Sequence, residues 1–266
     1  MEKAIRQYLQ KTETVGGEIL WFDTIDSTNT YLKRRIPDGA KDGVVIVAGH
    51  QTAGRGRMDR SFESPEGKGL YASVLLRPQM SAERLLPLTA LSGVAVCDAI
   101  EQVCGARPGL KWPNDLVLHG KKVCGILAEL VMDQGRPCVV LGVGINVSQT
   151  AEDFSPAVAE VATSLCVEVK KTVSHAALAA ALIEALDRLY SALQADELAA
   201  WLAAYRRDCV NLGKAVQLIA PDGTRETAAA LDVDETLGLV VRTVNGETKT
   251  VRAGEVSVRG LYGYLE

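Results

Sequence analysis

The chain lacks paired cysteines. Its six, Cys97, Cys104, Cys124, Cys138, Cys166 and Cys209, are scattered through 266 residues. None stands at C-x-x-C spacing, and no Cys/His cluster has the spacing of a zinc site. The pattern is that of reduced core thiols in a cytosolic protein. No apolar run reaches the roughly 18 residues that a membrane span needs. Met1 to Gln10 are charged and amphipathic, without the apolar core of a signal peptide. Repeats and low-complexity linkers are missing as well. So is a positive excess: 29 basic and 33 acidic residues give a net charge of −4. A constitutive nucleic-acid coat usually needs a basic surface. A basic loop inside an acidic protein more often binds a small anion. The expectation is a cytoplasmic protein with neither a membrane nor a DNA partner.

What is present is a full apolar complement, 47% of the chain, enough for one large domain and a small one. Hydrophobic pattern and turn residues predict a short N-terminal helix and a strand at Ile19 to Thr24. Asp26-Ser27-Thr28-Asn29 is a cap cluster before a helix. Strands follow at Val44 to Ala48 and Tyr71 to Leu76, flanking a glycine-rich loop from Thr52 to Gly69. A long helix is expected from Ala82 to Val103, with Pro87 in its first turns. Leu110 to Leu118 reads as one strand bent at Pro113. Val123 to Leu130 and Val139 to Val147 follow as strands, each entered by a tight turn. Two helices occupy 174–193 and 196–209. Helix signals end near Asn211-Leu212-Gly213, and about five short strands with Asp-Gly and Asn-Gly turns suggest a small barrel. The division is therefore 1–210, an α+β catalytic domain, and 211–266, an all-β module.

Two segments carry chemistry. Gly54-Arg55-Gly56-Arg57 puts two arginines on a flexible backbone, with Arg60 and Lys68 following. Glycine lets backbone N–H groups approach phosphate oxygens, and arginine adds a forked, charged donor. So much like charge repels itself in an empty loop, so we expect disorder without ligand and order with it. No Gly-Lys-Ser/Thr follows, so this is not a Walker A loop. No strand leads directly into a glycine turn that opens a helix, so it is not a dinucleotide fingerprint. The second segment is Lys111-Trp112-Pro113-Asn114-Asp115. A lysine leaving a buried strand must find an anion or lose its charge. Asp115 reads as a turn former, with a magnesium ligand as the alternative; Trp112 reads as packing. The metal ligands stay unassigned.

With Asp26-Ser27-Thr28-Asn29, Gln51 to Arg57, Gly125-Ile126-Leu127-Ala128-Glu129 and Gly142-Val143-Gly144-Ile145-Asn146, these segments resemble the biotin–protein ligase family. They occur in family order over about 120 residues, and the β-rich tail is similar to the family's SH3-like module. The resemblance implies a mixed β-sheet with flanking helices, of the biotin/lipoyl ligase, class II synthetase-like type. It implies biotin as substrate, with ATP and Mg2+ as co-substrates and no permanently bound cofactor. Biotinyl-5′-AMP would form, then pass to a lysine of a biotin carboxyl carrier protein of acetyl-CoA carboxylase. Carried over by position, Ser27, Thr28, Asn29 and Gln51 would meet the biotin head group. Gly54, Arg55, Gly56, Arg57, Arg60 and Phe62 would form the biotin and phosphate loop. Lys111 and Arg57 would be catalytic, Lys111 bridging the carboxylate and the α-phosphate. Gly125 would leave room beside the biotin ring, and Asn146 would bond the adenine side.

The chain departs from the family pattern at Asp59, usually glycine, which adds negative charge beside the phosphates. Phe62 stands where some members have tryptophan, keeping a stacking face and losing a donor. Only 26 residues precede Ser27, too few for the winged helix-turn-helix of repressor members, so a monofunctional ligase is expected. Gly142 and Gly144 also suit close strand packing. Val139 to Val147 is a strand that could pair between subunits of a homodimer at an exposed edge. The competing readings are a lipoate or octanoate ligase or transferase, a nucleic-acid-binding regulator, and a biotin binder without turnover.

Overall fold

The computed structural model describes residues 1–58, 60–253 and 257–260, with Ser257 as backbone only. Asp59 lies outside the described residues, and so does the effect expected of it. One mixed sheet organises most of the chain. Its strands are β1 (Ile19–Phe22), β2 (Val45–Ala48), β3 (Gly69–Leu76), β4 (Gly109–Lys111), β5 (Asp115–Leu118), β6 (Lys121–Asp133) and β7 (Arg136–Asn146). Their spatial order is β1-β2-β3-β7-β6-β5-β4. β1 and β2 are parallel, and the remaining neighbours are antiparallel. The helices are α1 (Glu2–Tyr8), α2 (Thr28–Arg35), α3 (Leu88–Cys104), α4 (Pro156–Ala159), α5 (Leu165–Val169), α6 (His175–Ala195) and α7 (Ala199–Asp208).

Strand alternation divides the sheet into two unlike faces. Val45 and Val47, Leu70 to Leu76 at every second residue, and Val139 to Ile145 likewise point to one side. They join α3 and α6 in the main core. On the other side, Ile46, Leu75 and Val140 pack under Leu32 of α2 and Ile36, its C-cap. Burying Leu32 fully contributes roughly 1.5–3 kcal/mol, which fixes α2 over one end of this face. The rest of the face is not apolar. Register pairs Tyr71 with Gly144 and Gly144 with Gly125, and pairs Ser73 with Gly142 and Gly142 with Leu127. Small residues in cross-strand rows leave a depression beside α2.

Local chemistry sets the element ends. Ser27 caps α2 by accepting from the Thr30 N–H, and α3 stops at Gly105, which adopts φ +70°. The β5–β6 turn is His119-Gly120 and the β6–β7 turn Gln134-Gly135. Positive φ at all four residues suits two-residue hairpins.

Four expectations change. The helix expected from Ala82 begins at Leu88, because Ala82–Leu85 form a 3-10 turn and Pro87 is the N-cap. Leu110 to Leu118 is not one bent strand. β4 and β5 run antiparallel around a cis Trp112–Pro113 peptide. β7 is no edge strand: β3 and β6 occupy both its sides, which excludes subunit pairing through it. Finally, Ala82–Cys104 does satisfy length and composition for a membrane span, the one such stretch among the described residues. It is mostly buried, and its helical part packs against α6, which accounts for its apolar character.

The tail forms a second, five-stranded antiparallel sheet: β8 (Ala215–Ile219), β9 (Arg225–Val233), β10 (Leu239–Thr243), β11 (Thr248–Val251) and β12 (Ser257–Gly260). The order β11-β10-β9-β8-β12 is compatible with an SH3-like module. Trp112 connects the sheets. Its backbone N–H donates to Asn211 Oδ1 at 2.7 Å, and its indole N–H donates to the Leu237 carbonyl at 2.8 Å.

Candidate active site

The depression on the glycine-rich face opens into a cavity of about 260 Å³. Every candidate residue except Gly54 lines it. Gly54 instead closes the base of the arginine loop: its carbonyl accepts from Phe62 N–H at 2.9 Å, and a Cβ there would meet the Phe62 carbonyl at 2.3 Å.

At the α2 end, the polar groups form one connected network. Thr28 N–H donates to Gln51 Oε1 at 2.9 Å, and Gln51 Nε2 donates to Ser64 Oγ at 3.1 Å. Asn29 Nδ2 donates to Glu129 Oε2 at 2.9 Å, while Asn29 Oδ1 accepts from Ser73 Oγ at 2.5 Å. Ser73 also shares a 2.6 Å hydrogen bond with the Thr28 hydroxyl. A hydroxyl has one proton, so if Ser73 donates to Asn29 it accepts from Thr28. The Asn29 amide is thereby oriented. Glu129 is further held by Lys33 Nζ at 2.7 Å, with Arg55 at 3.9 Å. Burial raises its carboxyl, but the bonds from Lys33 and Asn29 outweigh that and hold it below the usual range.

The glycines act by what they leave out. A Cβ on Gly142 would stand 2.3 Å from Asn29 Oδ1, and one on Gly144 would stand 2.7 Å from the Phe62 ring. Their smallness seats two side chains on the sheet rather than bringing strands closer. Phe62 lies against Gly144 and Gly125, edge-on to Tyr71 at 6.4 Å between centroids.

The loop itself is a tight reversal. Gly56 N–H donates to the Arg60 carbonyl at 2.7 Å, and Arg55 bridges Ser61. Arg57 turns inward, donating to Asn114 Oδ1 at 3.0 Å and to the Ala253 carbonyl of the tail. Across from it, Lys111 is 5% exposed. Burial pulls its ammonium down to about 8, against the opposing pull of Asp115. Asp115 forms an ion pair with Lys122 at 2.7 Å. Asn146, at the far end, donates to the Thr163 carbonyl at 3.0 Å and accepts from Gln149 at 3.3 Å.

Among the described residues, six cationic side chains line this cavity against two carboxylates, Glu63 and Asp115. Such a site suits a strongly anionic ligand beside a polar, half-apolar one. Among the described residues, no cluster of three or more His, Cys, Asp or Glu could hold a metal ion.

The profile of the Biotin/lipoate A/B protein ligase family matches residues 21–146, the stretch that carries most of this site. A biotin--[acetyl-CoA-carboxylase] ligase of Mycobacterium tuberculosis is 36% identical over 236 residues, 86% of this chain and 85% of that one. The chain belongs to the biotin–protein ligase family. A bifunctional ligase/repressor BirA of Bacillus spizizenii is 41% identical over 156 residues, 58% of this chain and 48% of that protein. The match to that relative thus spans about half its length. The structure of a biotin protein ligase from Aquifex aeolicus in complex with biotin and ATP superimposes with a TM-score of 0.80. It has 29% identity and covers 92% of this chain and 99% of that one.

Within this biotin–protein ligase family member, three groups of the site stand outside the residues assigned from sequence: Lys122 lines the cavity, while Ser73 and Glu129 hold Asn29. Ser73 carries a signal, as the lone serine in the apolar run of β3. Glu129 lies in a segment of the resemblance without an assigned role.

Proposed function

We propose that this protein activates biotin with ATP and transfers it to a carrier lysine of acetyl-CoA carboxylase. The observation that carries the reading is Lys111, a buried ammonium that lines the same cavity as the α2 polar residues and the arginine loop. A carboxylate and a triphosphate repel each other, and a fixed cation at their junction offsets that repulsion in a site partly screened from water. In the first step a biotin carboxylate oxygen attacks the α-phosphorus. The bond to the β,γ-phosphates breaks, and pyrophosphate leaves. In the second, a lysine amine of the carrier attacks the acyl carbon, forming an amide while AMP departs.

In this reading Ser27, Thr28, Asn29 and Gln51 frame the biotin end. Arg55 and Arg57 clamp carboxylate and phosphate, and Phe62 and Asn146 face the nucleotide. The arginine loop orders over the adenylate and keeps water from the anhydride. We assign catalysis to residues 1–210 and an accessory role to 211–266. Mg2+ would enter with the nucleotide, since it is commonly held by one or two carboxylates plus substrate phosphates. A cytoplasmic enzyme without a DNA partner completes the proposal, and any homodimer must use a surface other than β7. Salt-dependent binding to duplex DNA would contradict the DNA clause.

The test is labelling. With biotin, MgATP and a purified carboxyl carrier domain, the acceptor lysine should gain one biotinyl group. A carrier left unmodified while a lipoyl domain is acylated from lipoate would move the reading to the lipoate branch.

A further inference from the structure

Lys122 stands where simple alternation would not put it. Along β6, Lys122 shares parity with Cys124, whose side chain is fully buried in the core. The β5–β6 register shifts between Leu116 and Val117, so Leu116 pairs with Cys124 but Val117 pairs with Lys122. The bulge absorbs Val123 and turns Lys122 onto the face that carries Asp115 and Gly125. Its Nζ lies 2.7 Å from Asp115 Oδ1, 5.8 Å from the Phe62 ring centroid, and 3.1 Å from the position of a Cβ on Gly125. The backbone beneath is clamped. Lys122 N–H donates to the Val161 carbonyl at 2.8 Å, and its carbonyl accepts from Thr163 N–H at 2.9 Å. The ammonium therefore enters the cavity from a rigid base.

Asp115 is shared. It acts electrostatically on Lys111 and Arg57 as well as pairing with Lys122. Among the described residues, this one carboxylate serves three cations that line the cavity. We propose that Lys122 is a second polyphosphate-binding cation, held on Asp115 while the cavity is empty and transferred to a phosphate oxygen when a nucleoside triphosphate enters. The exchange keeps Lys122 paired throughout, and Asp115 keeps Lys111 and Arg57 as neighbours. A compact ammonium on a fixed strand suits a phosphate oxygen. The inference deepens the ligase reading but depends on it only for the identity of the acid.

The rival is that Lys122 merely neutralises Asp115. ATP binding by calorimetry separates the two, using the full chain and Lys122→Met, Lys122→Arg and the double variant Asp115→Asn/Lys122→Met. The expected result is that Lys122→Met weakens ATP binding roughly 10- to 100-fold while biotin affinity stays within about threefold. Lys122→Arg should recover most of the loss, and the double variant should stay weak. Wild-type ATP affinity in the double variant would overturn the proposal, as would an unchanged Lys122→Met. Should Lys122→Met fail to fold, the double variant, which leaves no charge orphaned, decides. Wild-type protein that binds ATP without biotin-dependent turnover would sink the ligase reading, yet the same ATP titrations would still judge Lys122.

Discussion

In the proposed reaction most of the chemistry converges on Lys111, and the burial of that residue has a stability consequence. An ordinary lysine titrates near 10.4, and burial lowers this one to about 8. At one pKa unit per 1.36 kcal/mol, holding the charged form costs the empty protein at most roughly 3 kcal/mol. Between the two values the unfolded chain binds more protons, so stability rises with pH across that interval. The contribution is complete above the unfolded value and lost as pH falls through about 8. Lys111→Met should therefore raise the melting temperature of the ligand-free protein at pH 7, with the gain shrinking toward pH 10. A gain independent of pH, or a loss, would contradict this assignment of the shift to burial. The same residue should make anion binding take up a proton above pH 8. Calorimetry in buffers of different ionisation enthalpy would read that uptake directly, and Lys111→Ala should abolish it. Adenylation should also fall about 10²- to 10³-fold in a folded Lys111→Ala; near-normal turnover would remove Lys111 from the mechanism.

Elements decide which side chains meet. The seat for Asn29 is made by β7 and its neighbours, not by α2 alone. Gly142→Ala would drive a Cβ toward Asn29 Oδ1, now 2.3 Å from that position. The amide must then shift and release Ser73 or Glu129. We expect biotin affinity to drop at least about tenfold, with roughly 1–3 kcal/mol lost from stability. Equal affinity in Gly142→Ala would show that the amide orientation is immaterial. Much of this level was legible in sequence. Cap residues located α2, and hairpin turns located β5, β6 and β7. The five segments that carry the resemblance together name most of the cavity wall. Ser73 and Lys122 resisted because their roles depend on register. Ser73 faces the site through cross-strand pairing with Gly142, and Lys122 does so through a bulge that no local pattern announces. Pro113 reads as a bend because a proline in an apolar run signals a turn but not its tightness; β5 reverses along β4 within the three residues between Lys111 and Asp115.

At the scale of the whole molecule, the tail reaches the cavity with Val258 and Arg259 in its lining, and two hydrogen bonds tie it to the site segments. Arg57 joins the arginine loop to the Ala253 carbonyl, and Trp112 joins the lysine segment to the Leu237 carbonyl. A ligand that draws Arg57 inward would change its contact with the tail, so the second sheet would respond to occupancy of the first. Arg57→Ala should speed release of the acyl-adenylate, read by trapping the intermediate on a desalting column; unchanged release would count against a closing role for the loop. Trp112→Phe removes the indole donor and leaves part of a fully buried ring's space empty, and roughly 1–3 kcal/mol of stability should go with it. The most direct single measurement is ATP–pyrophosphate exchange with biotin, lipoate or octanoate as the sole added acid. Exchange with biotin, and background rates with the other two, is the predicted result. Exchange with lipoate or octanoate but not with biotin would contradict the assignment of this cavity to biotin activation.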